Sequence, residues 1–288
     1  MPSLIDIRRR IRSVKNTQQI TKAMKMVSAA KLRRAQERAV ASRPYAEMMR
    51  RVLSNVAAAA AGSEAAAQLP LLQRREEKRI QLIVVSSDRG LAGAFNANLF
   101  RRVQRLIDEH GNTELAVEII GRKARDYFRR RGIQITGEHL DIIDRPTIEQ
   151  AREIADKLIE TYSKAEVDAV YLAVNEFKSV MAPDIVLRKI LPVEVPKGEG
   201  EIIDYIYEQP PEELLTALLP RYIEMSIYRA MLESNSAEHA ARMTAMDTAS
   251  SNAGDVIQDL TLNLNRVRQA AITREIIEIV SGAAAAIG

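Results

Sequence analysis

Residues 257–279 run IQDLTLNLNRVRQAAITREIIEI. Their apolar side chains fall at Ile257, Leu260, Leu264, Val267 and Ala271, alternating steps of three and four, which is the seam of a coiled coil. The seam then steps by one residue to Ile272, Ile276 and Ile279. A helix from Glu212 to Ala286 would be about 110 Å long at ~1.5 Å per residue. A single compact domain of this size is much shorter, so the helix must leave its own domain and find another helix to cover its seam.

A partner of similar type sits at the other end of the chain. Ser3 with Asp6 resembles a capping box with Asp in place of Glu. Leu4, Ile7, Ile11 and Val14 form a stripe, and after the polar interval Asn16 to Gln19 a second stripe runs Ile20, Met24, Val27. Pro44 predicts a kink or a stop near Ser42, and Ala57 to Ala61 with Gly62 reads as the fraying end. Two ordinary surface helices would also carry such stripes, but matching seams at opposite ends favour pairing.

Composition narrows the function classes. Aromatics make up 4% of the 288 residues and Trp is absent, in a helix-favouring mixture. Without Cys, no disulfide or thiolate metal site can form. Three scattered histidines, His110, His139 and His239, give no ligand spacing, and His239 reads as a solvated helix residue. Net charge is +4, unevenly spread: residues 1–58 hold 14 Lys/Arg against 3 Asp/Glu, leaving 28 against 35 in the rest. Such asymmetry points to an acidic partner, nucleic acid or an anionic surface. No apolar run approaches the ~18 residues of a membrane span. The first residues lack the apolar core of a secretory signal, so the expected place is the cytoplasm.

Between the helices the period changes. Residues 63–78 read as a polar, alanine-rich linker. Strands are expected at Ile80–Ser86, Leu115–Ile120, Ile133–Thr136, Val167–Val174 and Ile185–Val195, the last an edge strand because of Pro192. Helices are expected at Asn96–Glu109, Arg122–Arg131 and Thr147–Tyr162. This alternation predicts a Rossmann-like α/β layer with a mainly parallel sheet of about five strands. The domains are then 1–62, 63–209 and 210–288, the first and last pairing.

The Gly90-Leu-Ala-Gly93 turn lacks both the G-x-G-x-x-G spacing and the P-loop ending, and reads as a tight turn. Asp88, Asp141, Asp144 and Asp184 show no acid–base pairing. No catalytic residue, cofactor or metal ligand is expected. Ile202 to Pro211 reads either as a last strand with Tyr205 and Tyr207 on one face or as a contact patch. Pro210 or Pro211 suits a helix start, and Pro220 should kink the helix.

Three stretches carry a family resemblance: residues 16–32, NTQQITKAMKMVSAAKL; residues 86–96, SSDRGLAGAFN; and residues 272–285, ITREIIEIVSGAAA. Together, in this order and over essentially the whole length, the chain resembles the γ subunits of rotary F-type ATP synthases. The resemblance implies an antiparallel coiled coil of the two terminal helices, filling a ring of three α and three β subunits. It implies a globular foot that sits with the ε subunit on the membrane-embedded c-subunit ring. The expected function is that of a central rotor shaft, passing ion-driven rotation of the c-ring to catalytic β subunits, with no active site of its own.

By the same resemblance, Met24 and Lys25 should face β loops at the mouth of the ring. Arg242, Arg268, Gln269, Thr273 and Glu275 match positions of shaft packing and coupling to β. Tyr205, Tyr207 and Glu208 match the segment that touches the c-ring loops and ε, and Gly282 to Gly288 fits the shaft tip. Replacing Lys25 or Arg242 is expected to alter coupling more than stability. Lacking Cys, the chain lacks the thiol-regulated insertion of chloroplast relatives. With no evident transit segment, the bacterial plasma membrane is the expected site, with peripheral attachment at its cytoplasmic face. The rival readings are a basic coiled-coil nucleic-acid-binding or scaffold protein and a dimerising nucleotide enzyme. The heptad stripe among the basic residues and the missing glycine fingerprint count against them.

Overall fold

A computed structural model describes residues 3–109, 111, 113–177, 183–195 and 207–287. They group into two compact units, Met1–Ser28 with Met243–Gly288 and Ala29–Arg242. Helices α1 (Leu4–Ala59) and α6 (Pro211–Ile287) contribute to both.

In the first unit the two helices pair antiparallel. Lys25 Nζ meets Asp247 Oδ1 at 2.6 Å, and Gln18 Nε2 donates to the Ser250 carbonyl at 3.1 Å. The Ser3–Asp6 box forms as expected, with Asp6 N donating to Ser3 Oγ at 3.2 Å. Ile257, Leu260, Leu264, Val267 and Ala271 are all half-buried, as the seam predicts. The α1 seam runs Leu4, Ile7, Ile11, Val14 and then continues through Gln18, Thr21, Lys25 and Ser28. The expected second stripe is therefore corrected: Ile20 and Val27 are 59% and 58% exposed. The heptad phase carries straight on through polar residues, and the apolar ones beside it face outward. Ile272, Ile276 and Ile279 are likewise exposed. Extending the offset set by Lys25 and Asp247, Leu4 comes level with about residue 268, so the seam beyond has no partner helix among the described residues.

The second unit is built on a sheet ordered β3-β2-β1-β4-β5. Its strands are β1 (Arg79–Val85), β2 (Glu114–Ile120), β3 (Gln134–His139), β4 (Ala169–Phe177) and β5 (Pro183–Leu191). All pairs are parallel except β4 with β5. Side chains alternate along β1, as strand geometry requires. Leu82 and Val84 pack under α3 (Phe95–Glu109) and α4 (Arg122–Arg129). Ile83 and Val85 face α5 (Ile148–Ser163) together with Leu53 and Val56 of α1 and Leu219, Ile223 and Ile227 of α6. Burying each such side chain stabilises by roughly 1.5–3 kcal/mol.

Proline does not break either long helix. Pro44 lies within α1 and Pro220 within α6. The carbonyls each leaves without an N–H donor, those of Val40 and Thr216, belong to exposed residues that water can serve. Packing of Leu53 and Val56 on one side of Pro44 and of Leu32 and Ala35 on the other favours continuity. The supposed linker also carries structure. It holds α2 (Glu64–Ala67), capped by Ser63, and a 3-10 turn at Pro70–Leu72, with Ala66 and Leu71 buried. Pro192 falls just after β5 rather than inside it.

One charge sits wholly inside this unit. Glu118 on β2 is buried and accepts from Thr136 Oγ1 at 2.8 Å and Lys157 Nζ at 3.1 Å, with His139 Nε2 at 2.8 Å. A Cβ on Gly137 would lie 2.1 Å from Glu118 Oε1, so only glycine fits there. Burial pushes the Glu118 carboxyl up, but His139, Thr136 and Lys157 outweigh it and hold it down at about 2, against an ordinary 4.5. Because the folded value is depressed, the stabilisation is complete above pH 4.5 and is lost as pH falls towards 2. It amounts to about 3 kcal/mol. Urea unfolding followed between those pH values should show this slope, and Glu118→Gln should flatten it while lowering stability at neutral pH. An unchanged slope in the variant would assign acid sensitivity elsewhere.

Candidate functional site

The loop after β1 does structural work at each position. Ser86 Oγ accepts from Ala124 N at 2.9 Å and so caps α4 from a neighbouring strand. Gly121, at the start of α4, has φ +99°, and a Cβ there would lie 2.4 Å from the Ser86 carbonyl. Asn96 Nδ2 donates to Ser87 Oγ at 2.7 Å, and Asp88 Oδ1 accepts from the backbone of Arg122 and Asp141 at 3.0 and 3.1 Å. The loop thus ties the ends of β1, β2 and β3 together.

In open parallel sheets a ligand crevice lies beyond the carboxyl ends of the strands where their order reverses, here between β1 and β4. Helix α6 fills that place. Ser234 Oγ reaches the Val85 carbonyl at 3.5 Å, and Ala237 packs on Ala92 and Phe95. Arg242 Nη2 donates to the Gly90 carbonyl at 3.3 Å. The Gly90–Gly93 turn therefore receives a helix, and Gly93 turns the chain at φ +56°.

Arg242 is nearly buried. It donates to Glu238 Oε1 at 2.5 Å, and its Nη1 lies 3.3 Å from His239 Nδ1. Burial pushes the Glu238 carboxyl up more than Arg242 pulls it down. His239 is 4% exposed, which corrects the solvated reading. Burial first, then Arg242 and Lys31, lower its imidazole to about 4. Its Nε2 points to Asp144 Oδ1 at 3.6 Å, and Asp144 in turn accepts from Lys31 Nζ at 2.7 Å. Burial raises Asp144, but Lys31 outweighs it and the carboxyl ends below its ordinary value.

The other expected contact residues fall in different settings. Met24 is half-buried, and Lys25 sits in the seam against Asp247. Arg268, Gln269, Thr273 and Glu275 are exposed on α6, with Thr273 Oγ1 donating to the Gln269 carbonyl at 3.0 Å. Tyr207 is half-buried against the second unit's core, and Glu208 is exposed. Tyr205, His110 and Gly288 lie outside the described residues, as does the possible strand at 202–206. Among the described residues no cluster of His, Asp and Glu is placed to hold a metal, and no helix is long and apolar enough to cross a membrane.

Comparison with known proteins bears on the whole chain. Residues 3–286 match the family described as ATP synthase. The ATP synthase gamma chain of Solibacter usitatus is 58% identical over 286 residues, covering 99% of this chain and 100% of the relative. The chain belongs to the ATP synthase γ-chain family. A γ chain from Pelotomaculum thermopropionicum is 50% identical over 99% of both chains. Among solved structures, a chain of the rotor of Euglena gracilis mitochondrial ATP synthase matches 93% of this chain and 98% of its own. Its TM-score is 0.65 at 18% identity, a likeness of fold.

Sequence reasoning missed Glu238, Asp247 and Gln18 and misread His239 in this γ chain. Glu238 and Arg242 stand four apart on a helix, a spacing that announces a pair. Gln18 and Asp247 carry no local signal, because their partners lie more than 200 residues away.

The burial of Arg242 changes what its loss should do. Truncating one partner of a buried pair leaves the other uncompensated, at a cost of about 3 kcal/mol. The exposed Lys25–Asp247 pair is worth at most about 1 kcal/mol. Urea unfolding of Arg242→Ala should show the large loss, and Lys25→Ala a small one. Glu238→Gln in the Arg242→Ala background should recover part of it. Equal, small losses would show that Arg242 is not held as described.

Proposed function

We propose that this γ chain is the central rotor shaft of an F-type ATP synthase and is itself non-catalytic. The observation that carries this reading is the family match over nearly the whole chain, joined to a paired-helix unit whose last turns have no partner among the described residues. In this reading 1–62 and 210–288 form the shaft, and 63–209 forms a foot. The α and β subunits surround the shaft, and ε and the c-subunit ring meet the foot. Ion flow turns the ring, the shaft turns with it, and its asymmetry drives the catalytic β subunits through different nucleotide states. The reverse occurs in hydrolysis. The complex would stand on the cytoplasmic face of a bacterial plasma membrane, with this chain attached peripherally.

Residue roles follow from the surfaces described. Arg268, Gln269, Thr273 and Glu275 are exposed and offer hydrogen bonds and charge to β. Met24 and Lys25 present a half-open edge of the seam to it. Tyr205, Tyr207 and Glu208 are proposed to meet the c-ring loops and ε. The excess of basic residues in α1 suits acidic loops, since Coulomb attraction screened over ~8 Å guides a moving surface without locking it. Arg242 acts differently, by holding α6 against the sheet.

Purification of the tagged chain from its host should bring down α, β, ε and c subunits. Membranes carrying Lys25→Ala should pump fewer protons per ATP hydrolysed, with little change in unfolding midpoint. A chain that comes down with nucleic acid, or without β and c, would overturn the shaft reading.

A further inference from the structure

A cavity of about 210 Å³ lies in the second unit at the amino ends of β1, β2 and β3, beside the last turns of α5. Gln81 of β1 forms part of its wall and is 2% exposed. Gln81 Nε2 donates to Glu118 Oε2 at 3.2 Å and to Thr136 Oγ1 at 3.1 Å. Both of its N–H groups are thereby used, and because a carboxylate only accepts, the amide cannot be turned round. Oε1 accepts no hydrogen bond among the described residues. It is not sealed in the interior, and the little of Gln81 that stays open faces the cavity, so Oε1 is reached from there. An acceptor so placed asks its ligand for a donor.

The charge around the cavity decides the kind of donor. Two cations line it, and buried carboxylates already engage both. Lys157 Nζ spends its three donors on the two oxygens of Glu118, each at 3.1 Å, and on the Thr136 carbonyl at 2.8 Å. Arg79 Nε and Nη2 hold Asp168 at 3.2 and 2.8 Å. Glu114 and Glu166 line the same cavity, and neither has an ion-pair partner among the described residues. With Glu118 and Asp168 counted, four carboxylates therefore surround two cations. Helix α5 adds to this, because Thr161 of its last turn lines the cavity and the carboxyl end of a helix is its negative end. The field favours a cationic donor over a neutral one and repels an anion.

We propose that this cavity binds a short aliphatic diamine, one ammonium group donating to Gln81 Oε1 and the other held by Glu114 and Glu166. The space is that of about seven waters at ~30 Å³ each, enough for a chain of about six non-hydrogen atoms. The ammonium at Gln81 does not compete with Lys157, whose donors are all taken. The site belongs to the second unit alone and is independent of the shaft reading.

The full-length chain at neutral pH can be titrated calorimetrically with butane-1,4-diamine and two analogues. The bis-quaternary, fully N-methylated form keeps the charge and has no N–H donor, and butane-1,4-diol keeps the donors and has no charge. The expected result is saturable binding of the diamine, with each analogue about tenfold weaker or worse. The exposed double variant Glu114→Gln/Glu166→Gln should lose about tenfold in affinity at an unchanged melting temperature. On the unaltered chain the side-chain amide resonance of Gln81 should shift as the diamine saturates, which tests the Gln81 argument without a variant that might not fold. Equal affinity for either analogue, no saturation by about 10 mM, undiminished binding in the double variant, or an unmoved Gln81 resonance would each overturn the proposal.

Discussion

The register in which the chain's two ends pair is set by polar contacts. An apolar seam alone is a poor ruler, because a slip of one heptad, about 10 Å, restores the same pattern. Between residues 18 and 28 the α1 seam is Gln18, Thr21, Lys25 and Ser28. A slip of one heptad would take Lys25 from Asp247 and bring it level with Ala240 or Gly254, neither of which can accept its proton from a side chain. Gly254 adds a steric marker, since a Cβ there would come within 3.2 Å of Gln18 Nε2. The exposed ion pair adds little to stability. Its value is that of a single polar position in a coiled coil, which selects one alignment at a small cost.

The second unit uses the same device more deeply. From Ser234 to Arg242, α6 buries Ser234, Asn235, Ser236, Glu238, His239 and Arg242 against the carboxyl ends of the strands. Apolar residues could cover that surface at least as stably, because buried ion pairs seldom gain on a hydrophobic replacement. Directional bonds to the Gly90, Ile143 and Val85 backbones instead fix which turn of the helix meets which loop. A Rossmann-like sheet offers its crevice to a ligand, and here a helix of the same chain has taken it. This accounts for a nucleotide-binding layout without a glycine fingerprint.

Much of this was legible in the sequence because the signals are local. The run at Ile80–Ser86, read as a strand, and the stretch Thr147–Tyr162, read as a helix, placed β1 and α5 within a residue or so. The failures share one cause, which is that long-range packing outweighed a local rule. Pro44 is a helix breaker in isolation, yet a seam occupied on both sides of it carries the helix through. Ile20, Met24 and Val27 look like a core stripe, but the phase set by Ile7 and Ile11 gives the seam to Thr21 and Ser28. His239 reads as solvated until Asp144 and Arg242 are brought to either side of its ring. Polar residues at apolar phase positions were the available clue.

The end of α6 obeys a different constraint. Beyond the reach of α1, Ile272, Ile276, Ile277, Ile279 and Val280 are 49–70% exposed. The helix needs no new nucleus there, because it only propagates from paired turns, and propagation costs little. What it lacks is burial of these side chains, which only a surrounding surface can supply. Hydrophobic contact is non-directional and scales with area. A sleeve of similar character would therefore bind such a tip almost equally at every rotational angle, whereas hydrogen bonds or ion pairs would favour particular angles and resist turning. Polar contacts hold the register where the helices pair; past the reach of α1 the exposed isoleucines and Val280 give the proposed shaft a surface that favours no angle, while Arg268, Gln269, Thr273 and Glu275 among them supply the angle-dependent contacts proposed for β.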